Sequence, residues 1–130
     1  MQSASFLEAL AALLPAECLK TTDEDMRPYE CDGLSMYRAL PKCVALPENE
    51  AQLAAVLKIC HAHRVPVVAR GAGTGLSGGA MPDPNALLLS TAKMMRILDV
   101  DALGCTARVQ PVPGAGHAHL HVLKTLAAAS

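Results

Sequence analysis

Apolar positions along the chain fall first into a helical period, then lose all period, then recover it between two short strand-like runs. Phe6, Leu7, Leu10, Leu13 and Leu14 recur at three- and four-residue spacing and put one apolar face on a helix. Ser5 followed three residues later by Glu8 has the form of a capping box at its start, and Pro15 stops it. From Glu17 to Pro41 no clean period survives. Charges crowd TTDEDMRPYE, and the segment is expected to be an irregular connection with room for a short turn of helix.

Regularity returns at Lys42. CVAL (43–46) is a short apolar run closed by Pro47 and predicts a buried strand. Asn49 can cap a helix whose apolar face is Leu53, Val56, Leu57 and Cys60, an i, i+3, i+4, i+7 set. That helix should end around His63 and Arg64, whose positive charge suits its negative end. Pro66 blocks further helix, and VPVVAR is the next strand. Strand, helix and strand over about thirty residues make one βαβ unit, for which a right-handed parallel crossover is the default. After a glycine-rich stretch, ALLLS (86–90) is a third apolar run. ILDVD (97–101) and CTARVQ (105–110) read as two strands around an Ala-Leu-Gly turn; Thr106, Arg108 and Gln110 alternate with Ala107 and Val109, which predicts a half-exposed pair. Beyond Gln110 the character changes: PVPGAGHAHLHVLKTLAAAS carries three of the five histidines and supports no structural assignment. The fold class is α+β.

Composition narrows this picture. A chain of 130 residues, 52% hydrophobic and 18% charged, suits one globular domain with a modest core. Its aromatics are only Phe6, Tyr29 and Tyr37, so an independent core would lack large anchors. The net charge of −1 comes with no basic run and almost no aromatic surface, which excludes a nucleic-acid footprint. No apolar stretch reaches the ~20 residues that span a bilayer. MQSASFLEALAALL has no basic n-region and is interrupted by Glu8, so an amphipathic helix is preferred over a signal peptide. Cys18, Cys31, Cys43, Cys60 and Cys105 are odd in number and share no CxxC spacing; they read as reduced thiols of a cytoplasmic protein, used as small apolar residues.

The chemistry concentrates in VPVVARGAGTGLSGGAMP (65–82), where five of the nine glycines fall within nine residues. A P-loop is excluded because the next lysine is Lys93. Gly73, Gly75 and Gly78 match GxGxxG, but Pro82 and Pro84 lie where the helix of a dinucleotide fold must begin. What remains is a concave nest of backbone N–H groups for phosphate oxygens, or a glycine-rich turn with no ligand; a plain turn rarely needs more than one or two glycines, which favours the nest. Other candidates carry less. His117, His119 and His121 would share one face of a strand and could hold a metal, but no carboxylate stands near to orient a ring. Cys60, His61 and His63 sit at a helix end, with Cys60 in the apolar stripe. Met94 and Met95 read as packing, and Asp23, Glu24 and Asp25 as a solvated loop.

PKCVALPENEAQLAAVLKICHAHRVPVVARGAGTGLSGGAMP closely resembles the start of the FAD-binding domain of the vanillyl-alcohol-oxidase-type, or PCMH-type, flavoproteins. Within them it is most similar to the flavin subunits of bacterial glycolate oxidases and the related D-lactate dehydrogenases. YECDGLSMYRALP resembles the lead-in of those subunits, and LLLSTAKMMRILDVD with TARVQP the strands after their loop, so the likeness covers about residues 20–111. The resemblance implies an N-terminal helical lead-in (1–38), the first part of a PCMH-type FAD-binding domain (39–111) and a divergent tail (112–130). It implies FAD as cofactor, with Gly71, Ala72, Gly73, Thr74, Gly75 and Leu76 as a main-chain cradle for the pyrophosphate. Arg70 would brace the loop, and Gly78 and Gly79 would let the chain turn away. It also implies oxidation of a 2-hydroxy acid with a hydride passing to the flavin, and other oxidase subunits as partners.

After Pro111 the family pattern stops, before its second flavin-binding segment and its substrate domain. No catalytic residue can be carried over. The expectation is a truncated product of such a gene, inactive as this chain; the alternative is a non-catalytic binding or interaction module that retains only the pyrophosphate loop.

Overall fold

The computed structural model describes residues 2–30, 38–71 and 80–111, with side chains from Ser5 onward. Helix α1 (Gln2–Leu13) opens the chain, and Leu14 N–H still donates to Leu10 O before Pro15 turns it away. The helix begins upstream of the predicted box, so Ser5 lies inside it and caps nothing. A 3₁₀ turn (Ala16–Cys18) leads into β1 (Leu19–Lys20). Helix α2 (Asp23–Met26) is a single turn capped by Thr22, whose Oγ1 accepts from Asp25 N–H at 3.3 Å and donates to Asp25 Oδ2 at 2.9 Å. A second 3₁₀ turn (Arg27–Tyr29) follows. The stretch expected to be irregular therefore contributes a strand and a capped helical turn. Two residues of strand are too few to register as a period, and only pairing with a neighbour defines them.

Strand β2 (Cys43–Ala45), helix α3 (Glu50–Ala62) and strand β3 (Val67–Arg70) follow in the predicted order. The strand stops one residue short of the prediction, although Leu46 N–H still donates to Cys18 O at 2.8 Å. Asn49 caps α3 as expected: its Oδ1 accepts from Gln52 N–H at 2.9 Å, and Gln52 Oε1 accepts in return from Glu48 N–H. The inward face is Leu53, Val56, Ile59 and Cys60, while Leu57 is 40% exposed. Leu57 lies about 100° round the helix from Val56, which turns it past the edge of the buried stripe.

Strand β4 (Leu87–Ser90) corrects the simple βαβ reading. The sheet order is β1-β2-β4-β3, so β4 lies between the two strands that α3 connects and pairs parallel with both. Antiparallel β1 closes the other side, with Leu19 opposite Ala45. Side chains alternate between two apolar layers. Cys43, Ala45, Leu87 and Leu89 pack with Phe6, Leu10 and Leu14 of the α1 segment and with Val56 and Cys60 of α3. Val44 and Leu88 pack on the opposite face with Leu46 and Met26, and Tyr29, Leu40 and Val68 sit against them. Parallel strands covered on both faces read as unbroken apolar runs, as CVA and LLL do.

Strands β5 (Ile97–Asp101) and β6 (Thr106–Val109) form a separate antiparallel hairpin with a register shift between Ile97 and Asp99. It is more exposed than the half-exposed pair expected: every residue of β6 is exposed, Leu98 is 48% exposed and Leu103 is 99% exposed. The left-handed residue of its turn is Cys105, at φ 54, and not the glycine before it.

The helix-ending turn carries strain. Val65 N–H donates to Cys60 O and Arg64 N–H to His61 O, a Schellman arrangement that puts Arg64 at φ 54. An L side chain there costs about 1 kcal/mol that glycine avoids. Arg64→Gly should therefore raise the unfolding free energy of the chain by about that amount, read as a higher urea midpoint.

Burial also sets a pH limit. Cys43 is fully buried, and its thiol is pushed from 9.0 up to about 12, mainly by desolvation and secondarily by the neighbouring Cys60, with Lys42 pulling the other way. Because the folded value exceeds the unfolded one, this stabilising contribution is whole below about pH 9 and is lost as pH rises through about 12. Under reducing conditions, the stability gap between wild type and Cys43→Ala should shrink above about pH 9 by up to ~1.4 kcal/mol per pH unit.

Candidate functional site

Strands β2, β4 and β3 run parallel, so their carboxyl ends share one edge of the sheet, which is where open α/β sheets place ligands. The glycine-rich segment leaves from this edge, out of Arg70 at the end of β3. Arg70 is held on both sides. Its carbonyl accepts from Thr91 N–H at 3.0 Å, with Thr91 Oγ1 at 3.5 Å, and its guanidinium carbon stands 5.7 Å from the centre of the Tyr29 ring. The adjoining end of β4 is fixed by buried Ser90, whose Oγ accepts from Ala92 N–H at 3.3 Å.

Gly71 is the described residue of the predicted cradle, and its geometry bears on why a glycine stands there. Its φ is not in the left-handed region, and a Cβ added to it would meet nothing within 4 Å. Among the described residues, neither its own backbone nor packing requires glycine at this exposed position. Gly104 is the contrast: a Cβ there would lie 2.5 Å from Asp101 Oδ2, and its N–H donates to Asp101 Oδ1. Ala72, Gly73, Thr74, Gly75 and Leu76 lie outside the described residues, as do Gly78, Gly79, Cys31, Tyr37 and the histidines at 117, 119 and 121.

Residues 80–86 contain no helix. Pro82 is buried, Ala86 N–H donates to Asp83 O at 3.0 Å, and Asp83 Oδ1 accepts from Asn85 N–H at 2.7 Å. This turn occupies the place of the helix that a dinucleotide fingerprint demands.

A polar cluster at the same edge was not found in the sequence. Lys93 Nζ lies 3.5 Å from Cys18 Sγ and 4.0 Å from Glu48 Oε1, drawing together residues up to 75 positions apart. Burial raises the Cys18 thiol above its ordinary value. Lys93 opposes that by hydrogen bond and charge, and Glu48 adds to it. Only the Ser-Thr pair ending an apolar run signalled Ser90 and Thr91, and nothing local signalled Lys93 or Tyr29. Cys18, Cys43, Cys60 and Cys105 are free thiols, and no group of three His, Cys, Asp or Glu side chains converges among the described residues. Among those residues no helix is long and apolar enough to cross a membrane.

A family model described as an FAD binding domain matches residues 41–120. Glycolate oxidase subunit GlcD of Escherichia coli K12 is 52% identical over 107 residues, which cover 82% of this chain and 21% of that protein. D-lactate dehydrogenase of Archaeoglobus fulgidus is 48% identical over 59 residues, 45% of this chain and 13% of the relative. The chain thus spans about a fifth, or less, of these relatives' lengths. The solved structure of p-cresol methylhydroxylase superposes on 95% of this chain and 25% of its own with a TM-score of 0.83 at 22% identity, which is a likeness of fold.

The two glycines should separate in stability measurements. Gly71→Ala should leave the chain as stable or up to ~1 kcal/mol more stable, because only unfolded-state entropy changes. Gly104→Ala should lower stability by about 1 kcal/mol through the displaced Asp101 carboxylate, both read from urea unfolding.

Proposed function

The chain belongs to the family of FAD binding domains, whose cofactor is FAD, and we propose that residues 39–111 form the pyrophosphate-binding part of a 2-hydroxy-acid oxidoreductase's flavin site. In this reading 1–38 are a helical lead-in that lends α1 to the core and β1 to the sheet. Residues 112–130 are then a divergent tail, into which the family match runs as far as residue 120. The observation that carries it is Gly71: a glycine with open space beside it, at the carboxyl edge of three parallel strands, fits a backbone that must approach a ligand closely.

Gly71, Ala72, Gly73, Thr74, Gly75 and Leu76 are assigned to the cradle. Their backbone N–H groups would meet the phosphate oxygens, and the Thr74 hydroxyl would add a donor. Thr91 and Tyr29 hold Arg70, and so fix where the loop departs from β3. When bound, the flavin supplies an acceptor for the hydride released from the carbinol carbon of the 2-hydroxy acid. No described residue is given a catalytic part, and these 130 residues by themselves are proposed not to turn over a 2-hydroxy acid. The GlcD and D-lactate dehydrogenase relatives support glycolate or D-lactate as the substrate class, and the word subunit in the former's name supports other oxidase subunits as partners. Free thiols support a cytoplasmic location.

Titration of the purified chain with ADP and with FAD tests this reading. ADP should bind weakly and saturably, FAD should compete with it, and no flavin colour should survive desalting. Gly71→Val should weaken ADP binding on the order of tenfold or more with an unchanged melting curve, because the added side chain occupies the ligand's space. A folded wild-type chain that binds neither nucleotide would overturn the assignment.

A further inference from the structure

The parallel strands have a second edge, and it holds a cavity of its own. Lys42 precedes β2, Pro66 precedes β3 and Asn85 precedes β4; with Phe6, His63 and Arg64 they line a space of about 210 Å³. It lies at the amino ends of the strands, a four-residue strand or roughly 13 Å from Gly71. At this size it falls below the ~300–1,000 Å³ of pockets for drug-sized ligands and suits an ion of a few heavy atoms.

No acid among the described residues neutralises the charge of this cavity. Among the described residues the ion pairs are Arg38–Glu30 and Lys93–Glu48, and neither the Lys42 nor the Arg64 side chain enters an ion pair or a hydrogen bond. Cations at a helix end often serve its last carbonyls. Here those of Ile59, Cys60 and His61 already accept from the backbone N–H groups of His63, Val65 and Arg64. The acid nearest in sequence, Asp83, accepts from Asn85 N–H and pairs with neither cation. Arg64 also keeps a long charged side chain at φ 54, where glycine would relieve the backbone, and such strain clusters at ligand sites.

We propose that this cavity binds a small doubly charged oxyanion, a phosphate or a short dicarboxylate, held between Lys42 and Arg64. The Asn85 amide adds a neutral donor, and the His63 ring, 5.6 Å from that of Phe6, forms one wall. The site is separate from the nucleotide cradle and stands whether or not the cradle binds ADP.

The test uses the purified chain at constant ionic strength, titrated with inorganic phosphate and, separately, with malonate. Proton NMR of the His63 ring and calorimetry give the readouts. At least one probe should bind saturably and move the His63 resonances, and the tighter one identifies the class of oxyanion. Lys42→Gln and Arg64→Gly should each weaken binding on the order of tenfold, as loss of a charge-assisted hydrogen bond implies. Arg64→Gly should do so while raising the melting temperature, which separates lost binding from lost folding. ADP affinity should be unchanged in both variants. His63 resonances unmoved by both probes, or variants that bind as wild type does, would overturn the proposal.

Discussion

Leu87, Leu88 and Leu89 have no face left for water. Their backbones are paired on one side to Cys43–Ala45 and on the other to Val67–Ala69, and their side chains enter two apolar layers. Burying one such leucine contributes about 2–3 kcal/mol, and its peptide groups can be buried only because both neighbours satisfy them. This central strand aligns β2 with β3 and gives α1 and α3 a surface to cover. It also sends three carboxyl ends to one edge of the sheet and three amino ends to the other. Without β4, the strands on either side of α3 would have no common partner.

The two edges differ in kind. At the carboxyl edge, Thr91 and Tyr29 hold Arg70, so the glycine-rich segment departs from a fixed point. The glycine there faces open space, in contrast to Gly104, which crowds a carboxylate. At the amino edge the chain folds back tightly, and Arg64 takes the left-handed position that ends α3. On the readings proposed above, the first edge is assigned to a cofactor reached by backbone and the second to a small anion reached by side chains. The hairpin of β5 and β6 forms a second sheet with its apolar Leu98 and Val109 partly bare.

Much of this was legible residue by residue. Asn49 announced the start of α3, and Pro66 marked the end of the helical region. The unbroken apolar runs announced buried strands, because parallel strands covered on both faces cannot alternate. Pro82 and Pro84 correctly removed the helix of a dinucleotide fold. Other features left no local trace. Leu19–Lys20 becomes a strand only because Ala45 and Val44 stand opposite. Leu57 shares the spacing of the α3 stripe, yet sits at its rim once the sheet sets the direction of burial.

The sequence by itself therefore determined the elements whose causes are local: caps, proline stops, helical period, apolar runs and a glycine cluster fit for close backbone approach. Tertiary structure alone decided which strand stands in the middle, that Lys93 meets Cys18 and Glu48, that Arg70 lies over Tyr29, and that Lys42, Arg64 and Asn85 share one cavity. The physical reason is that caps and periods act within a few residues along the chain. Strand order and the meeting of distant charges depend instead on which surfaces exclude water together, a property of the whole packed chain.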